Sequence, residues 1–376
     1  MDALILSCGT GGGHNSAGKA LEHELAMRGH RVKTLNPYTL RSTRTAAKVN
    51  FVYNKIAQRV PTVFGVAYHI GNAYRRLPGH SPVYLVNGKM RSYLGRYLAE
   101  NHFDVIITTH LFPAEMLTNM KHHGYQIPKL IFVATDYICT PFTEETECDC
   151  YVIPSKELLP DFVKRGIPKE RLFPLGIPVH NQFYQKMDRT EARKVLGLDL
   201  TKKYILIAGG SIGAGQIEQV VSLLLEHYDR QEAELVVVCG NNQALYKKLD
   251  KTYGENCTVL GHTNCMAQYM RACDLFISKP GGLSSTEAAV TESALIHITP
   301  IPGCETYNMR FFEEHGMCVA VSSIKRPMLS ICDQLMEGTP KEQMNACQRQ
   351  NIPQNATSDI CDLIEEEIKK SQMLQA

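Results

Sequence analysis

The stretch Ser278-Lys279-Pro280-Gly281-Gly282-Leu283-Ser284-Ser285-Thr286-Glu287 decides how this chain is built. Before it, residues 274–277 form a short apolar run bounded by polar residues, as expected of a buried strand. After it, Ala288, Ala289 and Ala294 belong to a good helix former. Gly281 and Gly282 carry no side chain, so the backbone there can approach a ligand closely. Ser284, Ser285 and Thr286 fall where helix N–H groups are unpaired and the dipole is positive, a setting for an anion. The same letters admit a blander reading. Ser284-x-x-Glu287 is also a capping box, in which both side chains only satisfy backbone donors.

Composition bounds the rest. A chain of 376 residues exceeds one ordinary core, so two domains are expected. With 44% hydrophobic and 21% charged residues it is an ordinary soluble globular sequence. A formal net charge of +2 offers no global field for nucleic acid. Its 13 cysteines are odd in number and scattered, with no Cys-x-x-Cys pair, which predicts reduced thiols in a cytosol. Cys148 and Cys150 have no second pair to complete a zinc site, so no metal is expected. The opening apolar run, residues 3–6, is too short for a signal peptide. No apolar run reaches the ~18 residues of a membrane span.

Strand, turn and helix also open the chain. Residues 4–7 run into Gly9-Thr10-Gly11-Gly12-Gly13-His14, then a helix with Ala17, Ala20, Leu21 and Leu25 on one face. A nicotinamide-binding site fails twice here. His14 stands where the third glycine belongs, and the second strand ends at Asn36 instead of an acid for the ribose. What remains is a glycine-lined crevice with an imidazole at a helix start, where a histidine is kept neutral and suits general-base work; His14 closing the turn is the structural alternative. Residues 105–108 lead to His110, and residues 130–134 to Thr135-Asp136-Tyr137. In an open α/β sheet all these groups fall at the carboxyl edge, where ligands bind. Residues 151–153 read as the last strand of this half.

From Leu25 to Ala99 there is no Asp or Glu, while Arg and Lys recur among Phe51, Tyr53, Phe64, Tyr68 and Tyr74. Basic and aromatic residues together suit an anionic membrane surface. Nucleic acid would use the same charges, and a plain solvated face is the bland reading. The recurring apolar Val63-Phe64-Gly65-Val66 favours the membrane.

Pro168, Pro174, Gly176 and Pro178 mark an interdomain linker, so the expected division is 1–175 and 176–376. The second half restarts with residues 204–208 and Gly209-Gly210-Ser211-Ile212-Gly213-Ala214-Gly215, followed by Ile217, Val220, Val221, Leu224 and Leu225 at helical spacing. Further strands at 235–238, 258–260, 275–277 and 295–298 complete a second doubly wound α/β domain. An amphipathic helix over 356–370 ends the chain. Two such domains facing a cleft would each offer a glycine-rich turn. No Asp-x-Asp occurs, so a diphosphate would be neutralised by backbone donors and a helix dipole instead of a chelated metal.

Taken in order, Gly9 to His14, Gly209 to Gly215, Gly261-His262-Thr263-Asn264, Ser278 to Glu287, and Pro302-Gly303 with Glu305 and Asn308 resemble the motifs of the monogalactosyldiacylglycerol synthase and processive diacylglycerol glucosyltransferase family. That family consists of inverting lipid glycosyltransferases related to the peptidoglycan lipid N-acetylglucosaminyltransferase. The resemblance implies a glycosyltransferase-B fold with the C-terminal helix packing back on the first domain. It implies an enzyme moving glucose or galactose from a UDP-sugar, a substrate and no cofactor, to diacylglycerol or a related lipid. Gly209, Gly210, Ser211 and Gly213 would approach the diphosphate, with Gly281, Gly282, Ser284 and Ser285. The backbone by Cys265 and Met266 would face the uracil, Glu287 would take the ribose, and Glu305 and Asn308 would read sugar hydroxyls. His14 and Asp136 are the implied catalytic pair, with Gly12, Gly13, His110 and Thr140 on the acceptor side. The basic region matches the family's membrane-docking segment, which implies a cytoplasmic enzyme peripheral to the inner face of the membrane. Three positions differ: Thr140 replaces the usual His, Cys304 the usual Gln and His262 an aromatic residue. The rivals are a same-fold enzyme with a soluble acceptor, a UDP-sugar epimerase, and a UDP-sugar-binding regulator with little catalysis.

Overall fold

The computed structural model describes residues 1–9, 12–59, 71, 74 and 79–375, the side chains of 52–54, 56–59, 374 and 375 excepted. Thr10, Gly11, Pro61, residues 63–66, Tyr68 and Pro78 lie outside the described residues. The chain forms two compact units. One comprises Met1–Ile56, the described residues from 79 to Asn181, and the segment from Asn355; the other is built on Gln182–Gln354. The division thus falls after Asn181 instead of at 175, and the last helix belongs to the first unit.

The first unit is a parallel six-stranded sheet, β1 (Asp2–Leu6), β2 (Arg31–Leu35), β3 (Val105–Thr108), β4 (Lys129–Val133), β5 (Cys150–Val152) and β6 (Leu172–Phe173), in the order β2-β1-β3-β4-β5-β6. Side chains alternate across the strands, and helices cover both faces, which is why β1, β3 and β4 read as continuous apolar runs. Leu4, Leu6 and Ile106 enter one core, whereas Ala3, Ile5 and Ile107 enter the other. Helix Gly12–Met27 lies close to β1 because Gly18 leaves room: a Cβ there would sit 3.3 Å from Ile5. Helix Ala356–Gln375 packs on the same face through Ile360, Ile364 and Ile368, pinned by Arg28–Asp362 (2.6 Å) and Lys129–Glu367 (2.6 Å). The expected return of the C-terminal helix is therefore observed. β6 was not expected, since the prolines that follow it gave this segment the look of a linker.

In the second unit β7 (Lys203–Ala208), β8 (Ala233–Val238), β9 (Thr258–Leu260), β10 (Leu275–Ser278), β11 (Leu295–Ile298) and β12 (Val319–Val321) form a parallel sheet in the order β12-β11-β10-β7-β8-β9. β12, an edge strand of three residues, is too short to announce itself. Both sheets are doubly wound, and each reverses its winding once. The reversal lies between β1 and β3 in the first and between β7 and β10 in the second. Loops leaving the carboxyl ends of those neighbours diverge and open a crevice. Hence His14 meets Thr109 and His110, and Gly210 meets Lys279.

Candidate active site

In the first unit, His14 stands in the opening turn of helix Gly12–Met27, half-buried, with Gly12 and Gly13 beside it. Its Nδ1 lies 2.9 Å from the main-chain oxygen of Thr109 and 2.7 Å from Thr135 Oγ1. A carbonyl oxygen can only accept, so Nδ1 carries the proton and Nε2 keeps the lone pair. Burial lowers the His14 pKa, opposed by the Asp136 carboxylate and the Thr109 carbonyl. The ring is accordingly neutral near pH 7, with a free base at Nε2.

His110 packs edge-on against His14 at 4.5 Å between ring centroids. It caps helix Leu111–His122, its Nδ1 accepting from the Phe112 amide at 3.1 Å. Burial, with His14 next to it, holds its pKa well below the ordinary value. Asp136 is partly exposed just past β4. Thr140 is a turn residue whose hydroxyl bonds that of Thr143 at 2.9 Å. The structure also brings in a residue the motifs did not mark. The Asn50 amide lies against Gly9, where a Cβ would fall 2.2 Å from its nitrogen. Helix Thr43–Arg59 thereby reaches the carboxyl edge of the sheet.

In the second unit, Gly209 to Gly215 is a tight turn that only glycine permits at two points. A Cβ on Gly209 would lie 2.2 Å from the Ala214 oxygen, and one on Gly213 would lie 2.4 Å from the Cys239 oxygen at φ 55°. The loop after β8 locks this turn: Asn242 Nδ2 donates to the Gly213 oxygen (3.0 Å) and the Asn241 amide to that of Ser211 (2.8 Å). The sequence hinted at this in Gly240-Asn241-Asn242, a turn signal directly after a strand. Met266 begins helix Met266–Ala272, half-buried, with Cys265 at its cap.

Helix Gly282–Val290 begins after Gly281, which supplies no side-chain cap. The amides of Gly282, Leu283 and Ser284 are the orphan donors of its first turn. The capping box is not formed. Ser284 lies within the helix and its Oγ donates back to the Gly281 oxygen at 3.2 Å, while among the described residues no backbone amide donates to the Glu287 carboxyl. Ser285, expected beside the phosphate, is buried and its hydroxyl bonds His297 Nε2 at 2.9 Å. His297 is fully buried, and burial, with Lys279 nearby, lowers its pKa to about 3. Glu287 is partly exposed, and burial of its carboxyl raises its pKa to about 8.

Glu305 lies in the first turn of helix Cys304–Glu314, entered through Gly303 at φ 113°. One of its oxygens pairs with Lys279 and the other accepts from the Ile301 amide at 2.8 Å. Asn308, expected at the sugar, is fully buried, and its Nδ2 donates to the Pro280 oxygen at 3.1 Å. It shapes the loop from beneath. Lys279 lies in the Ser278 to Glu287 stretch, where no motif assigns it a role; as the lone cation of that loop it was the available signal.

Comparison with known proteins adds the family. Residues 14–179 match the monogalactosyldiacylglycerol (MGDG) synthase model and residues 204–366 the glycosyltransferase family 28 C-terminal domain. The processive diacylglycerol beta-glucosyltransferase of Bacillus subtilis is 26% identical over 379 residues, 99% of this chain and 96% of its own. MurG of Acinetobacter baumannii superposes with a TM-score of 0.59 at 16% identity, covering 97% of this chain and 99% of that one. Anabaena Alr3699/HepE, solved in complex with UDP and glucose, superposes at 0.57 with 13% identity over 97% and 99% of the two chains. Both structural likenesses concern the glycosyltransferase-B fold. Through its first unit the chain matches the monogalactosyldiacylglycerol synthase model, through its second the glycosyltransferase family 28 C-terminal domain, and along nearly its whole length it is similar to the processive diacylglycerol glucosyltransferases.

Proposed function

We propose that this protein transfers a hexose, glucose or galactose, from a UDP-sugar to diacylglycerol or a related membrane lipid with inversion. The observation that carries the chemistry is the His14 tautomer: the Thr109 carbonyl holds the Nδ1 proton, which leaves Nε2 to accept another. The acceptor hydroxyl gives its proton to Nε2 as its oxygen bonds to the anomeric carbon. The bond from that carbon to the diphosphate breaks on the opposite face, and UDP departs. The negative charge that develops on UDP is stabilised by the orphan amides of Gly282, Leu283 and Ser284 at a helix start, a preorganised form of stabilisation. That assignment requires no metal, and excess EDTA should leave turnover unchanged. Asp136 supports the imidazolium formed at His14. The UDP bound to Alr3699/HepE and the diacylglycerol named for the Bacillus relative support the choice of donor and acceptor.

Arg44, Lys48, Phe51 and Lys55 are exposed at helical spacing along Thr43–Arg59, and Leu85 and Val86 are exposed on the separate helix Pro82–Gly88. This basic and apolar stripe supports docking on an anionic membrane at the helix whose Asn50 touches Gly9. No helix among the described residues is long and apolar enough to cross a membrane. The test is UDP release from UDP-glucose and UDP-galactose, with and without anionic liposomes containing diacylglycerol. Lipid-dependent release is expected; release indifferent to lipid, or none from either donor, would overturn the proposal.

A further inference from the structure

Lys279 occupies an unusual position for a loop lysine. Its side chain is 11% exposed and pairs with Glu305, itself 13% exposed. It also reaches back to the first glycine turn. A Cβ on Gly210 would lie 3.1 Å from Lys279 Cε and 3.7 Å from Nζ, and one on Gly281 would lie 3.5 Å from Nζ. The ammonium therefore sits at the point where the two glycine loops approach each other, beside the orphan amides of helix Gly282–Val290. Glu305 is meanwhile fully engaged, one oxygen by Lys279 and the other by the Ile301 amide. A carboxylate so held has poor access to a sugar hydroxyl. Asn308 does not relieve it, being buried under Pro280.

We infer that Lys279 exchanges partners: it leaves Glu305 for the donor's diphosphate, and so frees Glu305 to accept hydroxyls of the sugar. The inference rests on the donor proposed above. A dianionic diphosphate is a stronger partner for an ammonium than one carboxylate. The move needs only the terminal torsions of Lys279, because Nζ already touches the space beside Gly210. Recognition of sugar is thus coupled to recognition of phosphate. UDP alone draws Lys279 away but returns nothing to Glu305, whereas a UDP-sugar supplies hydroxyls in its place. The product is held less tightly than the substrate for this reason.

Calorimetric titration with uridine and UDP tests the exchange through its sign. In Glu305→Gln, Lys279 has lost its competitor, so UDP should bind several-fold tighter than to the native chain. In Lys279→Met, UDP should bind roughly tenfold weaker or worse, the loss of a charged hydrogen bond. The gain from Glu305→Gln should vanish when Lys279→Met is added. Uridine, which lacks phosphate, should bind all of them alike. UDP binding equal or weaker in Glu305→Gln, with uridine unchanged, would overturn the exchange while leaving the donor reading intact. A native chain that binds neither UDP nor uridine would overturn both. If Lys279→Met does not fold, Lys279→Gln replaces it, and the sign in Glu305→Gln still decides.

Discussion

His14 Nδ1 lies 2.9 Å from the main-chain oxygen of Thr109, a contact between a helix start and the end of β3 that sets which ring nitrogen is basic. His14→Ala should therefore lose turnover by about 10²–10⁴-fold, the usual worth of general-base catalysis. UDP binding should persist, since no group assigned to UDP lies in that turn. Near-native transfer by His14→Ala would remove the histidine from the mechanism.

Asp136 raises the His14 pKa against the lowering effect of burial. The base works only when neutral, so activity falls as pH drops through that pKa, and the acid limb should lie below the ordinary 6.5. Asp136→Asn removes the raising influence. Its acid limb should move to still lower pH, alongside reduced turnover at the plateau. A shift to higher pH would contradict the assignment.

Glu287 has a folded-state pKa of about 8 against an ordinary 4.5. Between those values the folded chain keeps a proton that the unfolded chain has released. This residue's contribution to stability is therefore full below pH 4.5, declines as pH rises, and is lost above 8. Glu287→Gln should be increasingly stabilised relative to the native chain from pH 5 to 8, by about 1 kcal/mol or more at the upper end. Urea unfolding at several pH values measures it. Uridine affinity of Glu287→Ala should fall, as the ribose loses its side-chain partner there.

Two glycines offer a contrast in stability. A Cβ at Gly209 would lie 2.2 Å from the Ala214 oxygen, whereas at Gly261 the nearest atom is the Gly240 oxygen at 4.0 Å. Gly209→Ala should cost about 3 kcal/mol or more through displaced backbone. Gly261→Ala should cost below about 1 kcal/mol. Thermal unfolding compares them directly.

Lys48 and Lys55 lie on the exposed stripe of helix Thr43–Arg59. At about 1 kcal/mol per basic residue near an anionic surface, Lys48→Glu with Lys55→Glu should weaken sedimentation with anionic liposomes by roughly tenfold or more. The deficit should shrink in high salt. Unchanged sedimentation would place the membrane contact elsewhere.

Much of this was readable before any coordinates. Strands such as residues 105–108 and 295–298 are buried on both faces, so their apolar runs mark them without further help. The glycine turns and the helix starts that follow them are local features, written in consecutive residues. Side-chain direction was not. Ser284 and Ser285 are neighbours in a helix, and the helical turn between them sends one toward solvent and the other to His297 in the core. Asn308 and Glu305, one turn apart, divide in the same way between the loop's underside and the site.

The sequence by itself determined two α/β units of alternating strand and helix, the turns that end their strands, and the family they resemble, because each rests on patterns within a few consecutive residues. Tertiary structure decided the rest. It joined Lys279 to Glu305 across 26 residues and set Asn50 against Gly9. Such contacts depend on the order in which strands enter a sheet and on where its winding reverses, and no local pattern encodes that order.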